Sequence, residues 1–285
     1  MKLQKLLIVI VIGSFVFAAG CSSLEASVFK QNQAKQQTKT AEKPSQNDPG
    51  KMKNPEGKIP QKPDVNGSQD ELALPAMYFN VIKQVDGKNQ IQNPTNPLVL
   101  VNKEYALSDQ FVPADLVRPN VSFSFGDQKL EQSLLRKDTA LALENMFAEA
   151  KKAGIELFAV SGYRSFSRQK TLFDAEVSKV GEKKAEQAVA VPGTSEHQSG
   201  LAMDIAGRST NFYLTADFTN TLEGKWLAEN AHRFGFILRY PKGKENITHY
   251  EFEPWHFRYV GVKAATIIYK HQWTLEEYFQ EVKKI

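Results

Sequence analysis

Ser195 to Asp204 reads SEHQSGLAMD and sets His197 seven residues before Asp204, with Gly200 between them. His256 follows 52 residues after Asp204 in Glu253-Pro254-Trp255-His256, with Glu253 three residues ahead of it. Two imidazoles, one ligating carboxylate and one spare carboxylate are the inventory of a hydrolytic zinc centre with an open coordination position and a general base. A lone histidine is by default structural, and His232 (in a charged helix) and His271 (at a helix end) are expected to be structural or exposed. His249 is expected in an exposed loop, a contact near the site being the other option. His197 and His256 stand apart through the Ser, Gly and Asp around the one and the acid, proline and tryptophan before the other.

The elements that must position these groups follow from pattern. From Gly200 to Ala206, Leu201, Met203 and Ile205 alternate with Ala202, Asp204 and Ala206, which predicts a strand with a bulky face on the core and an Ala-Asp-Ala face toward a cleft. A carboxylate on an interior strand is costly unless paired or metal-bound, and the small neighbours would leave room for metal and substrate. Glu253 and His256 would point to opposite faces of an unbroken strand. Pro254 cannot continue a ladder, so a break there would swing both groups toward one cleft, with Tyr250–Glu253 and Phe257–Val260 as flanking strand pieces. Leu98 to Asn102 reads as a buried strand or extended stretch, and Ile155–Ser161, apolar on both faces, as an interior strand. Helices are predicted over Asp138–Lys152 (Leu141, Met146, Phe147 and Ala150 inward), after Gly162-Tyr163-Arg164-Ser165, over Glu182–Val189 and Leu222–Phe234, and over Val262–Lys270 and Leu275–Lys284, with Thr274 capping the last. Phe236–Tyr240 reads as a strand and Pro241–Asn246 as a polar loop. Strands and helices mix without a βαβ repeat, so the fold class is α+β.

Lys2 and Lys5, the apolar run Leu6–Ala19 and Ala18-Ala19-Gly20-Cys21 read as an export signal. Cys21 is the only cysteine, so no intrachain disulfide is open to it. Between Lys30 and Met77 there is no aromatic residue, and this Gln-, Lys-, Asn- and Pro-rich stretch cannot bury enough apolar surface to fold. As coil it would span roughly 40 Å. The expected organisation is a signal over 1–20, a disordered linker over 21–72 and a folded domain over 73–285. The net charge of +4 includes the two leader lysines, and with no basic stripe nucleic acid is not an expected partner.

Ala-Ala-Gly-Cys resembles a lipobox, which implies a diacylated Cys21 anchoring the chain to the outer face of a bacterial membrane; two acyl chains suffice for stable attachment. SEHQSGLAMD and EPWH, with FRYVG after it, SGYRS with Gln169 upstream, and LVLVNK with Asp115-Leu116-Val117 resemble the zinc D-alanyl-D-alanine carboxypeptidases of the vancomycin-resistance type over residues 97–285. That resemblance implies a single α+β domain of the hedgehog/DD-peptidase type, a central mostly antiparallel sheet flanked by helices. It implies one Zn2+ on His197, Asp204 and His256, Glu253 as base, Arg164 near the scissile carbonyl, and Gln169 and Ser195 at the substrate's terminal residue. Trp255 walls the substrate pocket or packs beside the metal, and Tyr163 lines the pocket or anchors its turn. Zinc would acidify a water, Glu253 would take its proton and pass it to the leaving amine, and Arg164 would stabilise the oxyanion. The expected activity is removal of the terminal D-alanine from peptidoglycan stem peptides by a monomer. D-Ala-D-Ala ends come first, L,D-carboxypeptidase action on tetrapeptide ends second; a non-catalytic peptidoglycan-binding lipoprotein is the competing class.

Overall fold

A four-stranded antiparallel sheet carries two of the three ligand candidates on neighbouring strands, directly opposite one another. The computed structural model describes residues 71–285, all within one unit, Asp64–Ile285; the signal and lipidation readings, Cys21 included, and nearly all of the linker lie outside the described residues. The strands are β1 (Ala73–Leu74), β2 (Ile82–Val85), β3 (Lys88–Ile91), β4 (Tyr105–Ala106), β5 (Leu116–Val117), β6 (Leu135–Arg136), β7 (Phe158–Ser161), β8 (Ala202–Ala206), β9 (Phe236–Leu238), β10 (His256–Tyr259) and β11 (Lys283–Lys284). The α-helices are α1 (Lys137–Lys152), α2 (Phe166–Val180), α3 (Glu182–Ala188), α4 (Leu222–Asn230), α5 (Glu245–Thr248), α6 (Val262–His271) and α7 (Leu275–Glu281).

The central sheet runs β7-β8-β10-β9, and each of its pairings is antiparallel. This is the α+β architecture expected. Its core joins Leu143, Met146 and Phe147 of α1 to Met203 and Ile205 of β8, Phe236 of β9 and Phe257 of β10. A second cluster packs Ile267 and Ile268 of α6 against Leu275 and Tyr278 of α7. Thr274 closes a capping box with Glu277, each accepting from the other's backbone N–H, which satisfies two N–H groups that a helix start otherwise leaves without partners.

Several expectations change. Met146, Phe147 and Ala150 of α1 are buried as expected, but Leu141 is 59% exposed and Ala140 and Leu143 take its place on the inward face. β7 is an edge strand of its sheet, not an interior one. Its free side is closed by the 122–124 segment, where Ala159 N–H donates to Ser122 O and Ser124 N–H to Ala159 O, which explains two apolar faces at an edge. Leu98 to Asn102 forms no strand. Its carbonyls take side-chain donors instead: Arg258 to Val99 O and Asn80 to Leu100 O. No strand covers 250–255, β9 stops at Leu238, and Glu245–Thr248 inside the expected loop is helical. The last helix ends at Glu281 because β11 pairs with β1, tying the two ends of the domain together. The β2–β3 hairpin, unanticipated, turns on Asp86 and Gly87, both at positive φ, the Asp-Gly signature of a tight primed turn.

Candidate active site

Register places His256 of β10 opposite Asp204 of β8, and Ser161 of β7 opposite Asp204 on the other side after a bulge. Cross-strand partners share a face, so one stretch of sheet gathers an imidazole, a carboxylate and a hydroxyl. All five residues of β8 are buried. The room beside Ala202 belongs to Arg258, its partner on β10, and Ala206 lies opposite Phe158. Ala202 and Ala206 thus face Arg258 and Phe158 across the sheet, while Asp204 between them opens onto the cleft.

His197 arrives from a one-turn 3-10 helix, Glu196–Ser199, that ends at Gly200 with φ 69°. A Cβ there would also meet Arg136 Cγ and Leu116 Cδ2 at 3.0 Å, so only glycine makes this turn into β8 without strain. The His197 Nδ1 lies 2.8 Å from Gly162 O. A carbonyl only accepts, so Nδ1 carries the proton and Nε2 is the free lone pair. Gly162 itself has no space for a side chain, with Leu134 O 2.5 Å from where a Cβ would stand.

Candidate ligand atoms of His197, Asp204 and His256 lie within 4.8 Å of one another. His197 Nε2 is 3.4 Å from one Asp204 oxygen and His256 Nδ1 is 3.1 Å from the other. Zinc bonds of about 2.1 Å in a tetrahedron set ligand atoms about 3.4 Å apart, so the spacing fits that ion. Burial holds His197 down at about 3, since its neutral form is the one that fits a dry site. Burial would raise Asp204, but His197, His256 and Arg164 outweigh it and keep the carboxyl low. His256 goes the other way: burial opposes its charge, yet the bonds to Asp204 and Glu196 lift it to about 9.

Chain reversal at Pro254-Trp255 brings Glu253 Oε2 to 3.7 Å from His256 Nδ1, and His256 N–H donates to Glu253 O. Pro254 thus turns both groups toward one cleft. Burial pushes the Glu253 carboxyl up to about 7. Arg164 follows β7 at the entrance to α2, whose N-cap Ser165 accepts from Arg168 N–H. Its guanidinium donates to Gln169 Oε1 at 2.9 Å and Ser161 Oγ at 3.1 Å.

A cleft of about 300 Å³ is lined by Arg164, Ser195, His197, Asp204, Glu253, Trp255 and His256 together. Gln169 does not line it: its amide donates to Ala190 O at 2.7 Å and its oxygen holds Arg164. Trp255 both lines the cleft and packs on the main core. Tyr163 is buried and its N–H donates to Leu134 O, the turn-anchoring option. His249 is exposed and caps α5 in a left-handed conformation. His232 and His271 stack on Tyr269 and Trp273 around a separate hollow of about 640 Å³ without a ligand triad. The sequence reading missed Tyr240, whose ring lies 4.9 Å from that of His256, and Tyr250, stacked on it at 4.6 Å. It also missed Glu196, Arg239, Arg258 and Glu276, which form a buried charge network that reaches the cleft wall at Glu196 and runs behind it through the other three. An acid between Ser195 and His197 was the one visible signal.

A family model described as VanY, D-alanyl-D-alanine carboxypeptidase, matches residues 132–262. The chain is 51% identical over 270 residues to YodJ of Bacillus subtilis (strain 168), covering 95% of this chain and 93% of that one. A solved structure of a vancomycin-resistance D,D-pentapeptidase VanY in complex with Zn(II) is 35% identical, with a TM-score of 0.52, over 64% of this chain and 98% of that one. The chain belongs to the VanY family of D-alanyl-D-alanine carboxypeptidases. As a VanY-family member it is a carboxypeptidase acting on peptidoglycan. Within the VanY-like structures, the LdcB LD-carboxypeptidase, solved for its peptidoglycan recognition, is 58% identical with a TM-score of 0.74, over 75% of this chain and all of that one.

Proposed function

We propose that this protein is a zinc-dependent carboxypeptidase that releases the C-terminal D-alanine from peptidoglycan stem peptides, with His197, Asp204 and His256 as ligands and Glu253 as general base. The observation that carries the reading is the buried triad with Glu253 3.7 Å from one of its imidazoles and Arg164 in the same cleft. Zinc, when bound, supplies a Lewis acid at the scissile carbonyl and a water of lowered pKa. Glu253, lifted by burial to about 7, takes a proton near neutrality and hands it to the leaving amine. Arg164, steadied by Ser161 and Gln169, directs its remaining N–H groups at the developing oxyanion. Gln169 acts through Arg164; Ser195 and Trp255 are the wall groups that would meet the terminal residue.

D-Ala-D-Ala ends come first from motif resemblance alone. The 58% identity to the LdcB LD-carboxypeptidase favours the other bond, between the diamino acid and D-Ala of a tetrapeptide, and we take that as the preferred substrate. Mass spectrometry of defined tetra- and pentapeptide stems after incubation with the protein tests this. Loss of one alanine from the tetrapeptide supports the L,D reading, and loss from the pentapeptide alone restores the D,D one. No cleavage of either, with zinc bound, would leave the peptidoglycan-binding class. The site of action is the wall side of the membrane, and the diacyl anchor on Cys21 and a monomeric state are part of the same proposal.

Arg164→Ala is expected to lower kcat about 10²- to 10³-fold, the cost of one oxyanion donor; steady-state kinetics on a stem peptide reads it, and a near-normal kcat removes Arg164 from the chemistry. Zinc affinity is expected to fall with acidification. Metal-free His256 keeps its proton up to about pH 9, and a ligand must lose that proton to bind. Below that pH the apparent affinity weakens by about tenfold per unit for the one proton released. Chelator competition between pH 6 and 9 measures the slope, and a flat profile contradicts the ligand role of His256.

A further inference from the structure

The two imidazoles of the triad are held from behind by different groups. His197 Nδ1 meets the carbonyl of Gly162 at 2.8 Å. His256 Nε2 meets the carboxylate of Glu196 at 3.4 Å, while its Nδ1 faces Asp204 and Glu253. Glu196 is 1% exposed. Its Oε1 accepts from Arg239 Nε at 2.8 Å and from Arg258 Nη1 at 2.7 Å, leaving Oε2 for His256. The two arginines are fully buried and are themselves held, Arg239 by Glu276 and Arg258 by the carbonyls of Val99, Pro97 and Tyr259. A dication cannot settle on the Nε2 side, where two guanidiniums already converge, so Nδ1 is the ligating atom.

A buried ion network is not a cheap way to fill space; apolar side chains of similar volume often do it with equal or greater stability. Glu196 stands in the cleft wall, and of the three side chains its carboxylate meets His256 alone is another lining group. A neutral imidazole carries one N–H, and the nitrogen that carries it cannot ligate. We propose that Glu196 is a positioning residue of the metal centre: by accepting the Nε2 proton of His256 it fixes the tautomer whose Nδ1 lone pair faces the metal. The inference rests on reading His197, Asp204 and His256 as the zinc ligands. An acceptor in this place also raises the basicity of the ligating nitrogen, and such outer partners typically contribute about 10- to 100-fold in metal affinity.

The test uses the full chain with 15N-labelled histidine. In the protein loaded with 113Cd, metal–nitrogen coupling is expected at Nδ1 of His256 and Nε2 of His197, with a slowly exchanging proton on His256 Nε2. Glu196→Gln is expected to weaken zinc by about 10- to 100-fold in chelator competition and to speed exchange of that proton. Glu276→Gln loosens Arg239 but leaves Glu196 on His256, and is expected to lose stability while keeping zinc affinity and the tautomer. Coupling at His256 Nε2 overturns the proposal, as does an unchanged affinity in folded Glu196→Gln or an equal loss in both variants. Should Glu196→Gln not fold, the tautomer of the unmodified protein decides alone. An unmodified protein that binds neither ion overturns the ligand reading itself, and this inference with it, a result distinct from metal held on the wrong nitrogen.

Discussion

Glu253→Gln is expected to bind zinc as the parent does and to lose about 10²- to 10⁴-fold in kcat, the usual contribution of a positioned proton acceptor. Gln keeps the shape and polarity of the side chain and cannot take up a proton. The carboxylate stands 3.7 Å from His256 Nδ1, on the cleft side of the triad and 26% exposed, so it reaches a substrate or a water there. Burial and Asp204 push its pKa up, His256 and Arg164 pull it down, and the balance stands at about 7. A group poised there both accepts and returns a proton at neutral pH. Parallel measurement of kcat and zinc content checks this. Loss of zinc together with activity would place Glu253 among the ligands, and an unchanged kcat would take it out of the reaction.

Arg239→Met is expected to destabilise the fold by about 3–5 kcal/mol, the cost of breaking a buried ion network from one side. Arg239 donates to Glu196 at 2.8 Å and to both oxygens of Glu276 at 2.8 and 2.6 Å. Met fills much of the volume, but two carboxylates are then left with one arginine in a dry interior. Burial alone would raise the Glu276 carboxyl; Arg239 outweighs it and holds that group below the usual carboxylate range. A depressed carboxyl contributes stability that is present above its unfolded pKa of about 4.3 and lost as pH falls through the folded value. The unmodified protein should therefore lose stability more steeply than Arg239→Met below about pH 4. Urea unfolding at neutral and acid pH reads both effects. A loss of only about 0–1 kcal/mol, as for an exposed pair, would mean that the network is hydrated or replaceable.

The candidate triad was legible because its signals are local. His197 and Asp204 fall in one loop-to-strand stretch, and the period-2 pattern alone sets Asp204 on the face opposite Met203. Pro254 likewise announces the break that turns Glu253 and His256 together. The buried charge network was not legible in this way. Glu196, Arg239, Arg258 and Glu276 come from four segments, and alternation says only that Arg258 shares a face with His256. That it lies opposite Ala202 is a matter of register, and that Glu276 reaches Arg239 is a matter of how α7 docks. Gln169 was placed in the cleft by motif alone, and its position behind Arg164 depends on the Ala190 carbonyl that claims its amide. The Asp86-Gly87 hairpin carried a plain turn signal that the reading passed over.

The convergence of His197, Asp204 and His256 on one ion is tested most directly by X-ray absorption at the zinc edge on protein loaded with one equivalent. The expected spectrum has only nitrogen and oxygen neighbours at about 2.0–2.2 Å, with two imidazoles per zinc and one zinc per chain. Failure to hold one equivalent, or a shell with one or three imidazoles, would contradict a centre built from these residues.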